Sequence, residues 1–259
     1  MTTTQTLTKP QEPWVGSRGR IGVIIPSTNI SVEYDCQQMT PEGLTWHFAR
    51  FFVEQPDLSS DDMFLAFIDA IRETIPDAMR DIMTCEPSYI MMGMSAETFW
   101  GGLEGSMELK ARITARANGL PVAMGSDASQ AALKCYGDIK RIAVVTPYMP
   151  VGDGEVRKFF TDCGFEVLAI EGLKSPSPTA IAHVSPKQLR DAVMAVNDPQ
   201  VEAILQVGTN LAFAQLAPMA EFWLDKPVLA INTATYWHAL RMNGIQDKLC
   251  GFGSLLEDY

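Results

Sequence analysis

Three short apolar runs occur twice in this sequence, in the same order and roughly one hundred residues apart, which is the signature of an internal structural repeat. The pairs are 21–26 with 142–147, 89–93 with 203–208, and 120–125 with 226–231. Each run ends in a small or polar turn, and helical patterns lie between the runs, an arrangement typical of parallel sheets. The sequence therefore predicts an α/β protein of two similar parallel-sheet halves. We expect them to be related by a pseudo-two-fold axis, with the ligand site in the cleft between them.

The repeat divides the chain into three segments. Residues 1–18 are rich in Thr, Gln, Pro and Gly and are expected to be a disordered tail. Residues 19–137 form the first α/β half and residues 138–259 the second, whose C-terminal segment is free to pack back on the first half. The Pro/Ser stretch 174–179 is interpreted as a surface loop, with a lid over the site as the alternative.

Composition narrows the class of partner. Of the 259 residues 47% are hydrophobic, enough for a large core, whereas the net charge of -11 and the lack of a Lys/Arg cluster argue against a nucleic-acid partner. No apolar run reaches the roughly 18 residues of a membrane span, so we expect no membrane association. Five widely spaced cysteines without a Cys-x-x-Cys pair indicate reduced thiols in a cytoplasmic protein, with no metal site.

Four loops follow apolar runs and are rich in hydroxyl groups, amides and glycine. They are 26–29, 93–101, 146–148 and 208–211. In parallel sheets, ligands bind beyond the carboxyl ends of the strands, and these side chains donate hydrogen bonds to an anion without adding positive charge. The same residue types also cap helices and form turns, which remains the alternative for any single loop. Four such loops in a repeated frame favour an anion site.

The order of these motifs resembles a known group of enzymes. The motifs are Gly22-Val-Ile-Ile-Pro-Ser-Thr-Asn29 with Glu33, Met92-Gly-Met-Ser95, Val145-Thr-Pro-Tyr148, Gly208-Thr-Asn-Leu211 and Tyr236-Trp-His-Ala-Leu-Arg241. From about Arg18 to the C-terminus, the chain is similar to the aspartate/glutamate racemase superfamily, in particular its arylmalonate decarboxylase and maleate isomerase branch. The resemblance implies two halves of like fold with a cysteine at one or both facing strand ends. Here Gly93 and Gly208 occupy those places, so both catalytic cysteines are expected to be missing.

The resemblance also implies a pocket that binds a substrate carboxylate. Its hydroxyl-rich part resembles Ser27, Ser95, Tyr148 and Thr209 of this chain, with Met94 replacing one hydroxyl by a thioether, while Asn29 resembles the amide that grips a carboxylate in maleate isomerases. We predict Ser95 and Tyr148 to be catalytic. The predicted substrate-binding residues are Ser27, Asn29, Gly93, Met94, Gly208, Thr209, Asn210 and His238.

Without thiols, another residue must transfer a proton. Glu97 is the first candidate and is predicted to be catalytic, because it is the only carboxylate in these loops and apolar neighbours such as Phe99 and Trp100 would raise its pKa. The alternative is a solvated glutamate at the start of a helix. His238 is the second candidate, since imidazole titrates near neutrality. Its alternative is a packed histidine inside a helix.

We therefore predict a cofactor-independent lyase or isomerase that acts on a small carboxylic acid through an enolate-like intermediate without cysteine catalysis. One alternative is a hydrolase of a small amide or lactone, with Ser95 or a water activated by Glu97 as nucleophile. No Gly-x-Ser-x-Gly elbow supports that nucleophile. The other alternative is a non-catalytic carboxylate-binding protein. Homo-oligomerisation through an exposed Phe99-Trp100 segment is also open.

Overall fold

The structure is a computed structural model that describes residues 14–259. The strands of the first sheet are β1 (Gly19–Pro26), β2 (Leu44–Phe51), β3 (Tyr89–Met92) and β4 (Val122–Ala123), and those of the second are β5 (Arg141–Thr146), β6 (Glu166–Gly172), β7 (Ala203–Gln206) and β8 (Val228–Ala230). All pairings are parallel, in the orders β2-β1-β3-β4 and β6-β5-β7-β8. The predicted α/β fold with two similar parallel sheets is confirmed.

Helices connect the strands of both sheets. They are α1 (Ser31–Gln38), α2 (Asp61–Met83), α3 (Ala96–Phe99), α4 (Gly102–Arg116), α5 (Gly125–Cys135), α6 (Pro150–Asp162), α7 (Pro186–Val196), α8 (Leu216–Leu224), α9 (Ile231–Met242) and α10 (Ser254–Asp258), with a 3-10 turn at Ala180–His183. Local sequence sets several boundaries. The Ser60 hydroxyl caps α2 by accepting from the N–H of Met63, and Ser185 and Gln188 form a capping box before α7.

The outer strands β2 and β6 were not predicted from the apolar runs. They lie at one edge of each sheet, where one neighbour is missing. In β2, buried residues such as Leu44 and Phe51 are interspersed with half-buried and exposed ones. Strand β2 therefore lacks the continuous apolar run of a strand that is buried on both faces, whereas β4 and β8 at the other edges are fully buried and fall within apolar runs.

Helix α9 follows the last strand of the second sheet but packs against α5 and against β3 and β4 of the first sheet. Its Tyr236 and Leu240 belong to the same core as Ile21 of β1. The C-terminal segment thus crosses back over the first sheet. The division at residues 137 and 138 into two folding units stays a prediction.

Most of the predicted disordered tail, residues 1–13, lies outside the described residues. Arg18, at the end of that predicted tail, is fixed in place because its guanidinium pairs with Asp247 and donates to the Glu42 carbonyl. At least this residue belongs to the folded part of the chain.

The expectation that Phe99 and Trp100 are exposed is wrong. Phe99 is completely buried, and its ring packs edge-on against Phe159 of the second half at 5.0 Å between centroids. Trp100 is half-buried beside Phe64. The contact of Phe99 with Phe159 joins the two halves, so this segment offers no exposed aromatic surface for a second subunit. Self-association stays a prediction.

Residues 14–259 contain neither a membrane-spanning helix nor a cluster of metal-binding side chains. No helix in that range is both long enough and apolar enough to cross a membrane. No three His, Cys, Asp or Glu side chains in the same range cluster in a way that would hold a metal ion.

Candidate active site

A partly open cavity of about 60 Å³ lies where strand ends of the two sheets meet. Strand-end loops of both sheets supply most of its wall, namely Pro26, Thr28, Asn29, Met94, Ser95, Ala96, Pro147, Tyr148, Gly208, Thr209 and Asn210. The remaining wall consists of Leu58, Phe64, Phe67, Pro178 and Ile181. All four predicted loops contribute to one cavity, as the strand-end rule requires.

Ser95 links the two halves at this cavity. Its Oγ accepts hydrogen bonds from the backbone N–H of Gly208 at 3.2 Å and from that of Thr209 at 2.9 Å, and the residue is 2% exposed. With two N–H donors directed at it, the hydroxyl oxygen lies at a point of positive electrostatic potential. By accepting these two bonds the hydroxyl is polarised and becomes a stronger donor to an oxygen that develops negative charge in the cavity.

Tyr148 lies beside Ser95. Burial raises the pKa of its phenol, and a hydrogen bond with Ser95 opposes that rise. The Tyr148 ring packs against Phe64 of α2 at 5.6 Å between centroids. The phenol is therefore a neutral proton donor near neutral pH, fixed by aromatic packing.

Thr209 contributes its backbone rather than its hydroxyl. Its Oγ1 donates to the Gly93 carbonyl at 3.1 Å and accepts from the Asn29 amide at 3.1 Å. Because both bonds are internal to the protein, the prediction that this hydroxyl holds a carboxylate is not supported by the geometry. The N–H of Thr209 donates to Ser95 and so acts on the site by positioning that hydroxyl.

Two asparagines interlock the halves. Asn29 of the first half caps α1 through its Oδ1 and reaches Thr209 of the second half through its Nδ2. Asn210 of the second half accepts from the N–H of Ile30 at 3.0 Å and donates to the Pro178 carbonyl at 3.0 Å. We refer to Asn29 and Asn210 as the asparagine interlock. Both residues line the cavity, but their polar groups form hydrogen bonds within the protein that hold the surrounding loops in place.

Three further predicted binding residues fall in different places. Met94 lines the cavity with its thioether, and Gly93 contributes the carbonyl bonded to Thr209. Ser27 is exposed and does not line the cavity, because its Oγ accepts from the N–H of Val53 at 2.9 Å and so serves the loop after β2. The prediction that Ser27 binds substrate is not supported.

Glu97 does not face the cavity, in contrast to the expectation. It is 2% exposed, and its Oε1 accepts from Arg72 of α2 at 2.7 Å, with Arg112 of α4 at 3.8 Å. Burial raises the pKa of Glu97, and the hydrogen bond from Arg72 opposes the rise. On the short helix α3 its side chain is directed towards α2 and α4, whereas Ser95 and Ala96 face the cavity.

His238 is also remote from the cavity. It is half-buried on α9, and its Nδ1 finds no hydrogen-bond partner among residues 14–259. Burial lowers the pKa of the imidazole, with Asp127 of α5 acting in the opposite direction. The packed histidine that the sequence left as the alternative is the arrangement observed.

We expect Glu97→Gln to change turnover by no more than a few-fold, because the carboxylate faces Arg72 rather than the cavity. Asp69→Asn is the matched control, since it removes the exposed partner of the same Arg72. Steady-state kinetics of both variants, with a thermal unfolding check, measure this. A loss of turnover of a hundredfold or more in folded Glu97→Gln alone would return Glu97 to the mechanism.

The segment after β6 covers the cavity, a role that the sequence offered only as the alternative to a surface loop. The N–H of Ser175 bonds to the Pro147 carbonyl at 2.9 Å, and the Pro176 carbonyl accepts from the N–H of Leu58 at 2.7 Å. Pro178 and Ile181 then close the wall. The lid alternative for residues 174–179 fits this arrangement better than a plain surface loop. Its only sequence signal was the Pro/Ser content, which is common to both.

Charged groups and thiols are both missing from the cavity wall. Among the described residues that line it, none carries a charged side chain and none is a cysteine. Burial raises the pKa of four thiols, those of Cys36, Cys85, Cys135 and Cys163, to about 11 in the case of Cys163. Cys250 is exposed in another part of the surface. The four thiols whose pKa is raised are protonated at neutral pH and are weak nucleophiles.

The two parallel sheets have the same topology, and the strand ends of both build the cavity. These features define a class of two-half α/β proteins whose site is shared between the halves. A family profile described as arylmalonate decarboxylase matches residues 21–256. The chain belongs to that family. A maleate isomerase of Pseudomonas putida is 27% identical over 248 residues, which cover 92% of this chain and 96% of that protein.

Solved structures show the same fold. The maleate cis-trans isomerase of Nocardia farcinica, in a mutant with a covalently bound succinylcysteine intermediate, superposes with a TM-score of 0.82 at 22% identity, covering 93% of this chain and 98% of the other. A double mutant of arylmalonate decarboxylase in a liganded form gives a TM-score of 0.81 at 21% identity, covering 93% and 99%. The relatives are thus isomerase- and decarboxylase-type enzymes.

Proposed function

We propose that this chain is a cofactor-independent decarboxylase-type enzyme that converts a small carboxylic acid through an enolate-like intermediate without using a thiol. The observation that carries the proposal is the Ser95 hydroxyl, held at the cavity wall by two backbone N–H groups and adjacent to the Tyr148 phenol. Preorganised neutral donors of this kind stabilise an oxyanion that develops during reaction. Each well-placed donor contributes roughly 3 to 4 kcal/mol to the transition state.

The uncharged cavity wall favours a reaction that removes a carboxylate and leaves an enolate, because no charged group among the described lining residues is present to bind a second carboxylate strongly. Phe64, Phe67 and Ile181 supply apolar surface to the same cavity. A carboxylate surrounded by apolar groups is poorly solvated, and loss of carbon dioxide disperses its charge over the rest of the substrate. Apolar surroundings therefore favour the reaction, and they select substrates with an apolar substituent.

Residues that border the cavity supply every hydrogen bond and proton that the reaction needs, apart from one proton from solvent. The bond between the substrate carbon and the departing carboxylate breaks, carbon dioxide leaves, and the electron pair moves onto the remaining carboxyl group as an enediolate. Ser95 and Tyr148 donate hydrogen bonds to the enediolate oxygens. Tyr148 then delivers a proton to the carbon and regains one from solvent.

The position of the thiols away from the cavity favours decarboxylation over double-bond isomerisation. Isomerisation by reversible addition needs a nucleophile at the substrate carbon, and no described cysteine lines the cavity. The hydrolase alternative needs backbone N–H groups directed at a substrate carbonyl. The N–H groups of Gly208 and Thr209 are instead directed at Ser95 itself.

The test is a parallel assay of phenylmalonate, maleate and small amides or lactones, following carbon dioxide, double-bond geometry and acid release, before and after treatment with iodoacetamide. We expect carbon dioxide from phenylmalonate, with turnover retained after alkylation because the accessible thiols lie away from the cavity. Formation of fumarate from maleate that alkylation abolishes would contradict the proposal. Acid release from an amide or lactone would support the hydrolase, and binding without turnover of any compound would support a carboxylate-binding protein.

A further inference from the structure

A second, smaller cavity of about 10 Å³ lies behind the wall of the first. Thr209 lines both cavities, and Gly93, Asp35 and Asn232 line the smaller one. Asp35 is a carboxyl group that is 5% exposed, and no step of the proposed reaction uses it. A buried titratable group so close to the backbone of the site calls for a physical account.

A chain of hydrogen bonds connects Asp35 to the site. The Nδ2 of Asn232, at the start of α9, donates to Asp35 Oδ2 at 2.7 Å and to the Thr209 carbonyl at 2.9 Å. The N–H of the same Thr209 donates to Ser95 at 2.9 Å. The Asn232 amide thus holds the carbonyl of Thr209, the residue whose N–H positions Ser95, and Asp35 holds the Asn232 amide.

The Oδ1 atom of Asn232 indicates which protonation state of Asp35 suits this arrangement. Asn232 is 7% exposed, and its Oδ1 is buried without a donor among residues 14–259. A buried carbonyl oxygen without a donor is costly. A protonated Asp35 has one O–H to give, so that acid and amide pair through two hydrogen bonds, whereas an ionised Asp35 has none.

We propose that Asp35 is a positioning residue whose neutral form, paired with Asn232, holds Thr209 and Ser95 in the geometry that binds a substrate anion. The inference rests on the proposed function for its effect on turnover, but its effect on anion binding is independent of that function. Ionisation of Asp35 removes the donor to Asn232 Oδ1 and places a negative charge behind the anion site. Both effects weaken anion binding.

The direction of the pH dependence follows from burial. Burial raises the pKa of Asp35 to about 6, with the hydrogen bond from Asn232 opposing the rise. The neutral form therefore dominates below that pH, and the site loosens as the pH rises through it. Among the charged or titratable groups on the elements around Asp35, Cys36 and Glu33 lie on the same helix α1, and the pKa of Cys36 is raised by burial and by both Asp35 and Glu33. Glu33 is paired with Arg50 of β2, and Tyr236 of α9 interacts with Cys36.

One other buried carboxyl must be distinguished from Asp35. Burial raises the pKa of Asp153 on α6 to about 6 as well, and its Oδ1 accepts from Thr146, whose Oγ1 accepts from the N–H of Tyr148 at 3.1 Å. Asp153 belongs to the opposite side of the site. Asp153→Asn is therefore the matched control for Asp35→Asn.

The experiment measures the binding of phenylacetate, which has a single carboxylate, by calorimetry from pH 4.5 to 8 in the wild type and in both variants. An asparagine at position 35 has a permanent donor for Asn232 Oδ1 and mimics the neutral acid. We expect wild-type binding to weaken by about tenfold or more between pH 5 and 7.5. We expect Asp35→Asn to bind with nearly constant affinity and more tightly than the wild type at pH 7.5, and Asp153→Asn to retain the wild-type weakening.

An infrared titration supplies a readout that needs neither ligand nor activity. Asp35 and Asp153 should both contribute to the band of buried protonated carboxylic acids at pH 5. The difference between the wild-type and Asp35→Asn spectra should isolate the Asp35 component, which should be present at pH 5 and lost by pH 7.5, while Asp153→Asn should retain it. A wild-type pH profile that persists in Asp35→Asn, or that disappears only in Asp153→Asn, would overturn the proposal. If phenylmalonate is not turned over but these binding and infrared results are obtained, the proposed function fails and the role of Asp35 stands.

Discussion

Replacing Ser95 by alanine should lower turnover by roughly two to three orders of magnitude, the effect typical of removing one donor from an oxyanion site. The substitution removes the side-chain oxygen that accepts from the N–H groups of Gly208 and Thr209. It also removes the hydrogen-bond partner of the Tyr148 phenol. Steady-state kinetics with phenylmalonate measure the loss, which we expect mainly in kcat.

Ser106→Ala is the matched control for this prediction. Ser106 is likewise buried, and its hydroxyl pairs with that of Ser126 at 2.8 Å, but neither residue lines the cavity. We expect it to leave turnover within about twofold while costing roughly 1 kcal/mol of stability. A folded Ser95→Ala enzyme with turnover close to the wild type would remove Ser95 from the site and with it the main support for an enolate mechanism.

Placing a cysteine at position 208 should destabilise the protein rather than create a thiol enzyme. Gly208 has a φ of 113°, a backbone conformation that side chains rarely adopt, and a Cβ there would lie 2.5 Å from Cδ of Pro147. Backbone strain and overpacking together should cost about 2 to 5 kcal/mol of unfolding free energy. Urea denaturation of Gly208→Cys measures that cost.

Gly119→Cys separates the two contributions. Gly119 also has a positive φ, of 83°, but a Cβ there would meet nothing within 4 Å. It therefore reports the backbone strain alone, and the difference between the two variants reports the contact with Pro147. Equal stability of both variants, together with turnover that iodoacetamide abolishes in Gly208→Cys, would show that the loop readily accommodates a catalytic thiol.

The sequence predicted where the site lies better than it predicted which side chains serve it. The strand-end rule placed Ser95, Tyr148 and Thr209 at one cavity because the position of a strand end in a parallel sheet follows from chain order alone. The rule says nothing about direction within a loop. Ser95 and Glu97 are two residues apart, yet one faces the cavity and the other faces Arg72 on a helix 25 residues earlier in the chain.

Parts of the cavity wall were beyond prediction for a related reason. The helical spacing of Phe64 and Phe67 indicated one apolar face of α2, but periodicity does not reveal what that face meets. The role of Thr209 shows the same limit at atomic scale. Its hydroxyl was predicted to bind a ligand, and only the positions of Gly93 and Asn29 reveal that the hydroxyl is already engaged.

The asparagine interlock restricts how proteins of this kind can be recombined. Asn29 reaches across to Thr209, and Asn210 reaches back to Ile30, so each half completes the loop of the other. A chimera that joins the first half of this chain to the second half of a distant relative would inherit only one member of each contact. Functional hybrids should therefore arise only when both asparagine loops are exchanged together, whatever point between the halves is chosen for the junction.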